Sequence, residues 1–184
     1  MTFLILGVLL WYAAHLFKRL APGPRAALGD TGKTMVSAAL SAALILMVVG
    51  YRATAGMADL FTFHGNGHLN NLIMLVAVVV FGAGMAKGVL WTRIRHPMLM
   101  GTLLWAVAHL LVHNDLASVV LFGGMGLWAV LAMALINSAG PWQRPAAGSA
   151  KRDLALIAIA LLMYGAITGV HSLLGFPPFQ GSYG

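Results

Sequence analysis

Six apolar runs separated by short polar stretches organise this chain. They extend from Thr2 to Phe17, Met35 to Tyr51, Leu69 to Ala86, Met98 to Val112, Leu116 to Ile136 and Leu154 to Leu174. None shows the two-residue alternation of a barrel strand. Each comes near the ~20 residues an α-helix needs to cross the hydrocarbon core of a bilayer. The pattern predicts an all-α fold, a polytopic transmembrane helical bundle of six spans. Lys18 and Arg19 follow the first run rather than precede it, so that run reads as an anchor and not as a secretory signal.

Composition turns this pattern into a class. Hydrophobic residues make up 60% of the 184 residues and charged ones 8%, against roughly 25% charged in a soluble domain. The acidic residues are Asp30, Asp59, Asp115 and Asp153, too few to keep such a surface dissolved. The formal net charge of +7 would suit a nucleic-acid partner, but its distribution argues against one. Ten of the eleven Lys and Arg lie in the first, third and fifth segments between runs, and Arg52 is the exception. By the positive-inside rule those three loops are cytoplasmic, and the N-terminus and C-terminus lie outside. Cysteine is absent, which excludes disulfides, thiolate metal ligands and covalent Cys-x-x-Cys-His haem attachment.

Small residues predict the helix contacts. Gly84 and Gly88 stand at GxxxG spacing, Gly165 and Gly169 repeat it in the sixth run, and Gly123, Gly124 and Gly126 lighten the fifth. Such positions let helix backbones approach closely.

The chemistry rests on seven histidines: His15, His64, His68, His96, His109, His113 and His171. No Ser-His-Asp pattern or phosphate-binding glycine loop accompanies them. Ionisable residues inside spans are costly and therefore functional candidates. His15 and His109 are the two most enclosed by apolar sequence, the alternative for each being a neutral imidazole bonded to a carbonyl. His109 and His113, four apart, share a helix face, and His64 and His68 repeat the spacing, so an outer metal site is open beside simple solvation. His96 stands in Arg95-His96-Pro97, where proline suits a first helical turn. The arginines there suit an anionic headgroup, a propionate or a phosphate, unless they merely cap.

The stretch Arg95-His-Pro-Met-Leu-Met-Gly101, then Leu104-Trp-Ala-Val-Ala-His109-Leu and Asn114-Asp-Leu-Ala-Ser118, resembles the NnrU family of bacterial membrane proteins. The His15 run with its trailing Lys18-Arg19 and Gly23-Pro-Arg25, and the last run ending in His171, are similar too. The resemblance implies one NnrU-like transmembrane domain over residues 1–184, in the bacterial inner membrane. It further implies a role in nitrite and nitric oxide metabolism. The family is similar to the haem-dependent zeta-carotene isomerase, which implies haem b with iron ligands at His15 and His109. It also makes Arg95 and His96 candidate cofactor contacts and His171 the alternative ligand. The isomerase's cysteine falls on Ala106, so its thiol is missing here. His15 lies about 3 Å from the inner end of its run and His109 about 16 Å from that of the fourth, at 1.5 Å per residue. Those depths differ, and a tilted or slipped span would reconcile them.

The function expected from the resemblance is a redox-linked, haem-binding support of nitrogen-oxide metabolism. Its partners are lipid, haem and an electron donor or hydrophobic substrate. Carotenoid cis-trans isomerisation, a membrane methyltransferase suggested by Arg-His-Pro, and a non-enzymatic assembly protein stay open, so enzymatic activity is undecided.

Overall fold

The computed structural model describes residues 1–54, 57–58, 60 and 66–179. His64, one histidine of the metal-site reading above, and the acidic Asp59 lie outside them. The described residues form helices and no strand. These are α1 (Thr2–Leu20), α2 (Pro22–Ala27), α3 (Gly29–Arg52), α4 (Gly67–Ala86), α5 (Pro97–Val112), α6 (Leu116–Ser138) and α7 (Ala150–Leu173). Five of them, α1, α3, α4, α6 and α7, are long and apolar enough to cross a membrane. With α5, apolar but only 16 residues, they make a multi-helix membrane protein. Most exceed their apolar runs: α3 begins six residues before Met35 and takes in Asp30 and Lys33, which pair at 2.8 Å in its exposed first turns.

Local chemistry sets the boundaries. Pro22 opens α2 directly after α1, where a missing N–H costs nothing. Lys18 and Arg19 occupy the last turn of α1 and suit its negative dipole end. Pro97 begins α5, as its position after His96 predicts. α4 stops at Lys87, whose φ of 52° is left-handed. The loop beyond it is held by Asp153, whose carboxylate accepts the backbone N–H of Val89 at 2.8 Å and of Leu90 at 3.2 Å. Thus Asp153, expected just before the sixth run, lies within the first turn of α7 and ties the third loop to it.

The helices pack side by side in the order α3, α1, α6, α5, α4, α7. The core sits where α1, α3 and α6 meet, around Leu4, Val8, Met47, Met125 and Trp128. Glycine permits the tightest approach: a Cβ on Gly50 would run into the backbone of Leu4, and one on Gly7 would lie 2.8 Å from the Met47 nitrogen. Gly84 fits its expected role, lying against Pro97 and Met98. Gly165 and Gly169 do not: nothing lies within 4 Å of the Cβ either would carry. α7 packs chiefly on α4, and its GxxxG face points away from that contact.

Candidate functional site

Between α4, α5 and α7 lies a cavity of about 940 Å³, at the upper end of the ~300–1,000 Å³ range of ligand pockets. His109, His113 and His171 line one end of it together with Asn70, Asn71 and Tyr164. Deeper, the walls are apolar, formed by residues such as Val78, Phe81, Met85 and Ile159. Phe176–Pro178 contributes to the histidine end. It is tied down by Asn71, whose Nδ2 donates to the Pro178 carbonyl at 3.0 Å.

Two of these histidines share one local geometry. The Nδ1 of His109 lies 2.9 Å from the Trp105 carbonyl, and that of His171 lies 2.8 Å from the Ile167 carbonyl. A carbonyl only accepts, so each Nδ1 carries a proton, and in the neutral imidazole Nε2 is left with the free lone pair. A metal-binding imidazole typically donates its other ring N–H to a carbonyl in this way. His109 is further fixed by ring contacts, 4.5 Å and stacked on Phe122 and 5.2 Å from Trp105. Phe122 is presented by a π-helical stretch of α6, Val119–Gly123. Bulges of this kind recur at functional sites.

His15 has the same tautomer, its Nδ1 lying 3.2 Å from the Trp11 carbonyl, but a different setting. Its ring centroid is 4.2 Å from that of Trp11 and 4.6 Å from that of Trp128. It does not line the cavity. His15 and His109 therefore occupy separate surroundings, on two helices that both pack on α6. The buried indole N–H groups of Trp11 and Trp128 have no hydrogen-bond partner among the described residues.

Arg95 and His96 also stand apart from the cavity. Arg95 donates to the Gly140 carbonyl at 2.6 Å, and the His96 ring lies 2.8 Å from Asn137 Oδ1. Both join the start of α5 to the end of α6. No group of three or more His, Cys, Asp or Glu is arranged for a metal ion among the described residues.

A family model described as NnrU protein matches residues 3–178. The chain belongs to the NnrU family. No curated protein and no solved structure matches it. In this NnrU chain the motif Asn114-Asp-Leu-Ala-Ser118 has a structural explanation. Asp115 caps α6, accepting the Ser118 backbone N–H at 3.0 Å and its hydroxyl at 2.5 Å. Ser118 is fully buried and lies 2.9 Å from the Tyr51 hydroxyl, which joins α3 to the turn. Burial opposes ionisation of Asp115, but the bonds from the Ser118 hydroxyl and from nearby backbone N–H groups outweigh it. They hold the carboxyl below its usual range.

The residues missed by sequence reasoning are Asn70, Asn71 and Tyr164. Their signal was two adjacent amides and a phenol within otherwise apolar runs, polar groups that a bilayer tolerates only when partnered.

Proposed function

We propose that this NnrU protein is an inner-membrane haem b protein supporting nitrite or nitric oxide metabolism in a redox-linked role. The observation that carries the reading is that His109 and His171 line one largely apolar cavity, each with Nδ1 committed to a carbonyl. Neutral imidazoles of this tautomer are good iron donors, and the absence of competing thiolates leaves them as the best ligands in the cavity. His109 and His171 would hold the group. Trp105 orients His109 through its carbonyl, and Phe122 fixes the ring plane. Haem b would supply a one-electron centre, and the apolar walls would exclude water from it.

The resemblance-derived pair, His15 with His109, remains the competing ligand assignment. His15 stands against Trp11 and Trp128 rather than at the cavity. Support for the nitrogen-oxide role comes from family membership. Ala106, buried beside Gly126, favours it over carotenoid isomerisation because no thiol stands there. The reading includes six crossings with both termini outside. α5 spans about 24 Å at 1.5 Å per residue, short of a ~30 Å core. Even so, it packs along both α4 and α6 and starts beside the basic pair Arg93 and Arg95.

Purified protein should carry about one b-type haem per chain, by analogy with bis-histidine membrane sites. Deletion should slow nitrite or nitric oxide turnover while leaving carotenoids normal. Protein devoid of haem, with accumulation of a cis-carotene in the deletion strain, would contradict the reading on both counts.

A further inference from the structure

We infer that the recess between the C-terminal ends of α1 and α6 binds an anionic phospholipid, its phosphate against Lys18 and Arg19 and an acyl chain along α6. The first observation is a second cavity, of about 360 Å³, lined by Lys18, Arg19, Leu135, Ser138 and Ala139. It shares no residue with the histidine cavity. Its volume falls within the ~300–1,000 Å³ range of ligand pockets.

The second observation is charge. Lys18 and Arg19 are exposed, and neither has an ion-pair or hydrogen-bond partner among the described residues. No carboxylate lines the recess. Asp30 pairs with Lys33, Asp153 holds the loop after α4, and Asp115 caps the opposite end of α6. The Ser138 hydroxyl is spent on the Leu135 carbonyl at 3.1 Å. The carbonyl end of α6 would repel an anion, but cationic and polar partners already cover it. Arg95 donates to the Gly140 carbonyl, and the His96 ring lies beside Asn137. Two cations without a counterion, one of them a guanidinium suited to phosphate oxygens, select an anionic headgroup. A zwitterionic headgroup would bring an ammonium that finds no carboxylate there.

The third observation separates a lipid from a free anion. Leu135, Leu131 and Leu127 follow one another at four-residue spacing, so they share one face of α6. Leu135 lines the recess, and Leu131 and Leu127 are exposed. The stripe runs ~12 Å at 1.5 Å per residue, most of the ~15 Å of a single leaflet, half of a ~30 Å core. A phosphate held by Lys18 and Arg19 therefore has an apolar track for its chain beside it. The inference is independent of haem, whose proposed ligands line the other cavity.

The test is binding of tritiated dioleoylphosphatidylglycerol to the full-length protein in dodecyl maltoside, read by scintillation proximity. One saturable equivalent per chain is expected. Dioleoylphosphatidylcholine and inorganic phosphate should each compete about tenfold less well than unlabelled phosphatidylglycerol. Lys18→Gln combined with Arg19→Gln should weaken binding about tenfold, through loss of charge-assisted hydrogen bonds. Lys151→Gln combined with Arg152→Gln removes the same charge from the start of α7, outside the recess, and should leave binding unchanged. Ala139→Trp keeps both cations but fills the recess, and should block it. Equal competition by phosphatidylcholine would leave the cations no role, and equal competition by inorganic phosphate would leave the apolar stripe none. Either result, or full binding by the Lys18→Gln, Arg19→Gln pair or by Ala139→Trp, would overturn the inference.

Discussion

Asp115 shows how one side chain organises the turn between α5 and α6. Its carboxylate satisfies the start of α6 and the buried Ser118, which in turn reaches Tyr51 on α3. Replacing an N-cap carboxylate by alanine typically costs about 1 kcal/mol. Asp115→Ala should therefore lower stability by at least that much in a reversible unfolding assay. Because its folded pKa is depressed, Asp115 contributes stability that is fully present above its unfolded pKa. That contribution is lost as pH falls through the folded pKa. The gap between wild type and Asp115→Asn should be largest at neutral pH and close in acid. A gap independent of pH would show that the carboxylate charge has no part in the cap. Residue identity made His109 and His171 legible as candidates, being ionisable groups inside apolar runs. The partners that hold them, Trp105 and Ile167 carbonyls, follow from helical geometry, since each stands four residues earlier.

At the scale of the helices, runs of apolar residues marked every long element, and proline marked the start of α5, while α2 falls in what the pattern reads as a loop. Contact partners were far less legible. GxxxG spacing says that two backbones have room to approach, not that a neighbour is there. Gly84 has a neighbour and Gly165 has none, while Gly7 and Gly50, outside any such motif, form the tight crossing of α1 and α3. Gly50→Val should cost about 2 kcal/mol through overpacking. Gly165→Val should stay within about 0.5 kcal/mol, as for an open position. Equal losses at the two sites would contradict the crossing. The π-helical stretch of α6 was equally hidden, because no residue type encodes it. It is recognised by its backbone geometry, and it brings Phe122 against His109.

For the whole molecule, the partition of Lys and Arg between alternate loops predicts an orientation that the packing of the helices does not itself carry. Reporter fusions after Arg25, Arg95 and Arg144 should read as cytoplasmic, and fusions between Arg52 and Gly67 or at the C-terminus as periplasmic. A cytoplasmic reading between Arg52 and Gly67 would break the six-span arrangement. The lateral order of the helices lay beyond the reach of sequence, since every face in a membrane is apolar and periodicity loses its meaning. That order places α6 between α1 and α5, and leaves α7 closing a cavity against α4 and α5. It is the reason His171 shares a cavity with His109 and His15 does not.

The central claim is therefore a claim about ligands, and reduced-minus-oxidised absorption spectra of three single variants test it most directly. His109→Ala and His171→Ala should each lose or radically alter the b-type signal, while His15→Ala keeps the wild-type spectrum. A wild-type spectrum in His171→Ala together with loss in His15→Ala would contradict the assignment and place the iron between α1 and α5.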